Sequence, residues 1–323
     1  MNDISKNRTI NGFIVERNKD RSVNSNYGSL DYLPKEDEAE VEVLFSSINY
    51  KDRLVCDGSP GVTRLKKIIP GIDFIGTWHG KNFLIVGEDI GINRNGSWAD
   101  RCFVKKKWLK EIPASFLADE IAKYGTAGFT AALITLNITS KYNVDDGPVL
   151  IRGANTAVGN FSRLFLIALG YEVELISNSK IIDDRIPEEK RYTPESFKDK
   201  FDKPIGKEVW SCVVDLIGGD DLSVAFKNLK TNGVCLVVGN IAGNNCLNLP
   251  LIPMMVSGCS LIGISLETYP REDWWRLSEI IEKLDKEISS KIIIDFVKFK
   301  NLKKHLNQKN CNSHFTRNII DFS

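Results

Sequence analysis

The sequence is poor in the residues that build metal sites and disulfide frameworks. It contains only three histidines, none paired with cysteines at ligand spacing, and seven scattered cysteines without a Cys-x-x-Cys pair. An odd number of dispersed cysteines argues against a disulfide framework and against a structural zinc lobe. Reduced thiols of this kind favour a cytoplasmic location.

Long apolar runs and an excess of one charge are also lacking. No run is long enough to cross a bilayer, and residues 1–10 contain no apolar core of a signal peptide. The net charge is +1, with Lys and Arg spread throughout the chain. We therefore expect neither a membrane nor nucleic acid as a partner.

The length and composition indicate a soluble, globular chain of two domains. Its 323 residues are too many for one ordinary core, and 42% are hydrophobic while 26% are charged. The first hundred or so residues alternate or carry short apolar runs between turns, which favours a compact antiparallel β-barrel. The predicted strands cover residues 11–17, 40–49, 68–76, 82–86 and 99–105.

A βαβ unit is predicted between residues 147 and 180. An apolar strand at 148–151 leads into a turn at 153–159, a helix at 160–169 and a second strand at 173–176. Such units place the turn at the carboxyl edge of the sheet, where a dinucleotide pyrophosphate meets the N–H groups that open a helix. Gly153 and Gly159 are present, but Thr156 and Ala157 put side chains in the middle of the turn. Two interpretations stay open at this point: a dinucleotide site, or a strand–helix turn in a sheet that binds nothing.

Strands and helices alternate over about residues 120–265, which predicts a doubly wound α/β domain. A helical pattern at 117–137 contains Gly125 and Gly128, which mark a break and a close approach. No helix is predicted between 180 and 203, whereas strands are predicted at 209–217 and 233–239 and a helix at 222–229 with an acidic cap. The last part holds an amphipathic core helix at 272–288, a basic helix face at 298–309 and a strand at 316–322.

Several blocks together resemble a known family. They are SINYKD at 47–52, IPGIDFIGT at 69–77, YGTAGFTA at 124–131, VDLIGG at 214–219 and TRNII at 316–320. In this order they resemble the zinc-independent medium-chain dehydrogenase/reductases, and within them the acryloyl-CoA reductase (quinone oxidoreductase) family. The resemblance implies a GroES-like β-barrel domain at 1–119 and 266–323, a Rossmann NADP-binding domain at 120–265, and a homodimer.

The resemblance also addresses zinc. Zinc-dependent relatives supply Cys and His ligands at the positions occupied here by Asn49 and Ile72. An amide and an alkyl group cannot form a Cys/His zinc site, so no metal is expected. His79, between Trp78 and Gly80, is interpreted as a surface or hydrogen-bonded imidazole.

The family resemblance implies hydride transfer from NADPH to an activated C=C bond of a small-molecule substrate such as an enoyl or acryloyl thioester, or to a quinone. The enolate oxygen that develops then needs a hydrogen-bond donor. Tyr50 is the first candidate, because its hydroxyl can donate a hydrogen bond and its ring can pack against the nicotinamide. Asn49 could support Tyr50 by hydrogen bonding. Asp52 is interpreted as a turn or salt-bridge residue, and Lys51 as exposed.

The resemblance implies further residues for the cofactor. Those expected at the pyrophosphate or the ribose are Asn155, Thr156, Ala157, Val158 and Thr130. Those at the end of the second strand, which offer donors and one positive charge without a carboxylate and so favour NADP, are Ser177, Asn178, Ser179 and Lys180. Those at the nicotinamide and phosphate end are Gly239, Ile262 and Arg317.

Two departures from the family pattern support a second hypothesis. Thr156 replaces a glycine, and the helix expected after residue 180 is interrupted by Pro187 and Pro194, with Asp183 and Asp184 beside the phosphate position. The alternative to a reductase is therefore a noncatalytic member of the fold with impaired dinucleotide binding, which binds a ligand or a partner.

Overall fold

The computed structural model describes residues 6–18, 20, 22–112, 116–178, 185–243, 245–246, 248–308 and 316–322. Its strands are β1 (Arg8–Arg17), β2 (Val23–Tyr32), β3 (Glu38–Ser47), β4 (Lys67–Ile68), β5 (Asp73–Trp78), β6 (Lys81–Val86), β7 (Arg101–Lys105), β8 (Lys110–Glu111), β9 (Val149–Arg152), β10 (Val173–Ile176), β11 (Arg191–Tyr192), β12 (Trp210–Asp215), β13 (Leu229–Val237), β14 (Ser260–Gly263), β15 (Ile293–Lys298) and β16 (Thr316–Asp321). Its helices are α1 (Tyr50–Cys56), α2 (Ala118–Ala122), α3 (Gly125–Thr139), α4 (Ala157–Ala168), α5 (Pro194–Phe201), α6 (Leu222–Lys227), α7 (Ile252–Ser257), α8 (Trp274–Ile288) and α9 (Leu302–Asn307).

The chain forms two compact units. The first contains the described residues up to Thr126 and those from Ile292 onward, and the second comprises Ala127–Lys291. The sequence boundary expected at 266 therefore lies at 292 in the structure. The reason is that α8 packs within the second unit, against α4, and its Trp274 ring stacks on Phe129 at 5.8 Å.

The first unit is the predicted β domain. One sheet has the order β15-β16-β3-β5-β6-β8 with β7 beside β3, and a smaller sheet has the order β2-β1-β4. All pairs are antiparallel except β15 with β16. The strand β2 was not predicted, because its sequence VNSNYGSLDY is polar and mostly exposed; a continuous ten-residue register with β1 holds it.

The second unit is the predicted doubly wound domain. Its six strands are all parallel and run in the order β11-β10-β9-β12-β13-β14. In chain order this is 3-2-1-4-5-6, so the direction of winding reverses between β9 and β12, and ligands of such sheets bind at the carboxyl ends beside that point. The apolar face of α4 is buried at Phe161, Leu164 and Phe165, while Ala168 on the same face is half-buried; the apolar face of α8 is buried at Trp274, Leu277, Ile281 and Leu284.

Three local predictions were wrong. Residues 194–201 form α5, because Pro194 occupies its first position, where a missing N–H costs nothing, and Thr193 caps it. Asp221 does not cap α6 with its side chain but pairs with Lys198 at 2.7 Å. The stretch 68–76 is two strands rather than one, since Pro70 and Gly71 interrupt it.

The predicted break near Gly125 is confirmed. Gly125 has φ +46°, between α2 and the body of α3, and a methyl group there would lie 2.8 Å from Asp73 Oδ2 and 3.2 Å from Arg317 Nη2. Only a glycine allows this close approach.

Candidate functional site

The turn after β9 is built on two glycines that packing requires. Gly153 has φ +84° and donates its N–H to the Ile176 carbonyl at 3.0 Å, which places the turn against the end of β10. A methyl group on Gly153 would lie 2.7 Å from Ile217. A methyl group on Gly159 would overlap the Gly153 carbonyl and lie 2.9 Å from the Ala154 Cα. The two retained glycines therefore let the helix meet the strand closely.

Thr156, the residue that departs from the family turn, is the N-cap of α4. Its Oγ1 accepts a hydrogen bond from the Gly159 N–H at 3.1 Å, and its hydroxyl proton is left to donate elsewhere. The N–H groups of Ala157 and Val158 make no hydrogen bond within the described part of the chain. Asn155 is exposed and Thr156, Ala157 and Val158 are half-buried, so an anion can reach these donors.

We expect Thr156→Ala to lower the free energy of unfolding by about 1 kcal/mol, because the Gly159 N–H loses its acceptor. Urea unfolding followed by circular dichroism measures the change. Thr156→Ser keeps the acceptor and serves as the control. A Ser variant as unstable as the Ala variant would contradict the capping role.

Two further loops meet the turn at the carboxyl edge of the sheet. Ile217 accepts the Ala242 N–H at 2.8 Å, and Gly218 forms a bridge with Gly243. Gly239, which the sequence predicted at the nicotinamide end, lies in this second loop and donates its N–H to the Asp215 carbonyl at 3.3 Å. The structure thus brings Gly239 to the same sheet edge as residues 155–158.

A buried ion pair at this edge was not predicted. Arg152 Nη1 lies 2.6 Å from Asp215 Oδ1, with side chains 4% and 0% exposed. Burial raises the pKa of Asp215, although Arg152 opposes the shift. The two residues end neighbouring strands in register, and that signal could have been found from the predicted strands. Because Arg152 is neutralised by Asp215, it is a poor source of charge for a phosphate.

The remaining predicted cofactor residues of the second unit are placed as follows. Ser177 follows β10, is half-buried, and donates its N–H to the Tyr192 carbonyl at 3.0 Å, while Asn178 is exposed. Thr130 lies nearly buried on α3, and Ile262 lies on the strand β14, 40% exposed. Ser179, Lys180, Asp183 and Asp184 lie outside the described residues.

In the first unit, the side chains of Tyr50 and Asn49 differ in how much of their hydrogen-bonding capacity other residues already use. Tyr50 is the first residue of α1; it is 53% exposed, and its hydroxyl makes no hydrogen bond to the described residues. The Asn49 amide donates to Ser47 Oγ and to Asp73 Oδ2, both at 3.0 Å. Its oxygen accepts from Arg317 Nη1 at 3.4 Å. Tyr50 can therefore donate to a substrate, whereas Asn49 is suited to hold its neighbour in place.

Asp52 and Arg317 lie inside the same unit. Asp52 is fully buried and accepts backbone N–H groups from Asn49 at 2.8 Å and from Gly71 and Ile72 at 3.0 Å. Arg317 is 2% exposed and donates to the Lys123 carbonyl at 3.0 Å. Asp52 is thus a backbone anchor rather than a salt-bridge residue. Arg317 is buried, and it donates hydrogen bonds to the Lys123 carbonyl and the Asn49 side chain.

The pKa of Asp52 makes the stability of the protein depend on pH. Burial, and next the charge of Asp73, raise this pKa from 3.8 to about 7. Because the folded chain holds this proton more tightly than the unfolded chain, the contribution of Asp52 to stability is full at about pH 4 and is lost as the pH rises to about 7. Asp52→Asn removes it, so we expect the free energy of unfolding of the variant, relative to wild type, to rise between about pH 4.5 and about pH 7.5. Urea titrations at both pH values measure this, and an unchanged difference would contradict it.

The described ranges contain neither a candidate metal site nor a candidate membrane-spanning helix. There, no group of three or more His, Cys, Asp or Glu side chains could hold a metal ion. His79 is exposed in a turn, with its ring against Trp78 at 4.3 Å. None of the described helices has the length and apolar character needed to cross a membrane.

Curated relatives cover most of the chain. A probable acrylyl-CoA reductase of Escherichia coli is 30% identical over 260 residues, which are 75% of this chain and 79% of the relative. The quinone oxidoreductase YhfP of Bacillus subtilis is 28% identical over 299 residues, 85% of this chain and 90% of the relative. No protein-family model matches the chain.

Solved structures with the same fold cover nearly all of it. The yhfP protein of Bacillus subtilis, with NAD bound, has a TM-score of 0.86 and 24% identity over 98% of this chain and 100% of that chain. The YhdH protein of Escherichia coli, with NADPH bound, has a TM-score of 0.83 and 24% identity over 97% of this chain and 100% of that one. These structures show that the two units have the fold of the medium-chain oxidoreductases.

Proposed function

The chain belongs to the acryloyl-CoA reductase and quinone oxidoreductase family of zinc-independent medium-chain dehydrogenase/reductases, and we propose on this basis that it is an NADPH-dependent reductase of an activated C=C bond or of a quinone. The observation that carries the proposal is the donor set that opens α4. The Ala157 and Val158 N–H groups make no hydrogen bond to the described residues, the Thr156 hydroxyl keeps a proton to donate, and all three residues are half-buried rather than buried. Such a set fits a dinucleotide diphosphate.

NADPH, when bound, supplies the hydride. The protein then has two tasks, to hold the cofactor and to stabilise the oxygen that gains charge. Residues 155–158 hold the diphosphate, and Gly239 and Ile262 belong to the proposed nicotinamide end. The Tyr50 hydroxyl donates a hydrogen bond to the carbonyl oxygen of the substrate as that oxygen gains charge, and Asn49 fixes the start of the helix that carries Tyr50.

The preference for NADP over NAD rests on the end of β10. Ser177 and Asn178 offer donors without a carboxylate that would repel a 2′-phosphate, and Ser179 and Lys180 continue this segment in the sequence. Lys180 supplies the positive charge in this proposal, since the Arg152 charge is balanced by Asp215. Thr130 is assigned to the ribose or the phosphates.

Titration with NADPH, followed by cofactor fluorescence, tests the proposal. Saturable binding at micromolar NADPH, weaker binding of NADH, and oxidation of NADPH on addition of acryloyl-CoA or a benzoquinone are expected. Acetyl-CoA, which lacks the activated alkene, is the control substrate. Absence of saturable binding at high micromolar NADPH would end the reductase proposal and favour the noncatalytic alternative.

A homodimer through the free edge of the second sheet is part of the proposal. Within the described residues β14 pairs only with β13, and α7 beside it buries none of its side chains. Large apolar side chains are exposed on β14 and on α7 with its N-cap residue: Leu251, Ile252, Met255, Val256 and Leu261. An uncovered strand edge with an apolar surface is a site for a second copy of the chain.

We expect Met255→Glu to convert the dimer to a monomer, because the charge would be buried in the interface. Light scattering after size-exclusion chromatography measures the mass. Ile205→Glu is the matched control, since Ile205 is as exposed as Met255 and lies outside this patch. A wild-type monomer at about 50 μM, or a dimer that survives Met255→Glu, would count against this interface.

The cytoplasm is the proposed location. Six cysteines in the described ranges are unpaired thiols, and four of them are buried. This state suits a reducing compartment.

A further inference from the structure

Asp52 joins α1, the helix that carries Tyr50, to the loop that precedes β5. One carboxylate oxygen accepts the N–H of Asn49, the cap of α1, at 2.8 Å. The other accepts the N–H groups of Gly71 and Ile72, both at 3.0 Å. A single buried side chain therefore receives three backbone donors from two segments.

The loop on the far side of this connection is tightly held. The Gly71 carbonyl accepts the Ser97 N–H at 3.1 Å, and the Pro70 carbonyl accepts the Trp98 N–H at 2.9 Å. Gly71 has φ +103°, and a methyl group on it would lie 2.6 Å from the Trp98 ring. Packing of this density leaves the loop little freedom to move, so Asp52 attaches α1 to a fixed point.

The side chain of Asn49 is held independently of Asp52. Asp73 Oδ2 accepts from the Asn49 amide and also from the Thr126 N–H at 2.7 Å, while Arg317 donates to the Asn49 oxygen. The residue before Tyr50 is therefore fixed through its side chain and its N–H group. Asp52, the anchoring residue, lies two residues after Tyr50.

From this geometry we propose that Asp52 is a positioning residue, which places the Tyr50 hydroxyl for the reaction by tying the first turn of α1 to the loop at Gly71 and Ile72. The inference rests on the proposed reductase function. Asp52 does not touch the substrate. It acts through the position of Tyr50, so its loss lowers kcat rather than NADPH affinity.

A double-mutant cycle between Asp52 and Tyr50 tests the proposal. In Asp52→Asn the amide NH2 group replaces one of the two acceptor oxygens, so it opposes either the Asn49 N–H or the N–H groups of Gly71 and Ile72. We expect kcat for acryloyl-CoA to fall about tenfold or more, with the KM for NADPH unchanged within about twofold. The variant Asp52→Asn with Tyr50→Phe is expected to be no slower than Tyr50→Phe alone. If Asp52→Asn slows the Tyr50→Phe enzyme by the same factor as it slows wild type, the proposal is overturned.

Glu38→Gln is the matched control. Glu38 is a buried carboxylate of the same unit that accepts the Lys35 N–H at 3.0 Å and the Tyr32 hydroxyl at 2.8 Å, away from α1. It should lower the melting temperature without lowering kcat. If Asp52→Asn does not fold, Asp52→Ser replaces it, because the serine removes the acceptor without presenting an opposing amide.

Amide hydrogen exchange tests whether Asp52 anchors α1 without requiring that the protein be a reductase. Peptides covering 49–56 and 69–73 are expected to exchange faster in Asp52→Asn than in wild type, and at wild-type rates in Glu38→Gln. If wild type reduces no alkene or quinone, the proposed function has failed, and exchange alone decides whether Asp52 anchors α1. Unchanged exchange, or faster exchange with unchanged kcat in an active enzyme, overturns the positioning role.

Discussion

Tyr50→Phe is expected to lower kcat for reduction of an acryloyl thioester about 100-fold, the usual cost of removing one donor to a developing oxyanion. The Tyr50 side chain is half-exposed at the first position of α1, and its hydroxyl has no hydrogen bond to the described residues. The proton it would donate is therefore available. Steady-state oxidation of NADPH at saturating thioester measures the loss.

The affinity for NADPH should be nearly unchanged in this variant, because the phenyl ring keeps the bulk of the side chain. Tyr27→Phe is the control, since Tyr27 is also partly exposed in the first unit but its hydroxyl already donates to the Phe299 carbonyl at 2.8 Å. A Tyr50→Phe enzyme with wild-type kcat would assign the donor to another residue.

Gly159→Ala is expected to abolish saturable NADPH binding up to about 1 mM and to lower the free energy of unfolding by about 3 kcal/mol. The added methyl group would overlap the Gly153 carbonyl and crowd the Leu216 side chain at 2.9 Å. The start of α4 must then move away from the strand, and its N–H donors move with it. Fluorescence titration and urea unfolding measure the two effects.

Gly28→Ala is a suitable control for the loss of a glycine. Its methyl group would come no closer than 3.1 Å, to the end of the Ile14 side chain, which can rotate away. We expect this variant to bind NADPH as wild type does. Retained NADPH binding in Gly159→Ala would show that the cofactor does not depend on close contact between helix and strand.

The parts of the fold that could be predicted from sequence are those with a strong local pattern. The strand β10 was predicted to the residue, and β9 and α4 to within a few residues, because buried parallel strands are continuous apolar runs and Gly153 and Gly170 mark the helix ends. The polar strand β2 has no such pattern, since its stability comes from pairing along β1. The β-propensity of the local sequence does not include this contribution from pairing with a distant strand.

The candidate site divides in the same way. Tyr50 and the turn at 153–159 lie in short motifs that can be read locally. The role of Thr156 as a cap could also have been found, since a threonine just before a helix is a favoured N-cap. The anchoring by Asp52 could not, because its partners Gly71 and Ile72 lie 19 and 20 residues away and offer only backbone groups. A sequence shows that a carboxylate is present but not which amides surround it.

The buried thiols have a consequence for a protein that handles electrophiles. Alkenes conjugated to a carbonyl, the class proposed as substrate, alkylate cysteines through the thiolate. Burial raises the pKa of Cys102 to about 12 and also raises those of Cys212 and Cys235. These three side chains stay protonated and shielded at neutral pH, so the substrate of a reductase of this kind would not alkylate them.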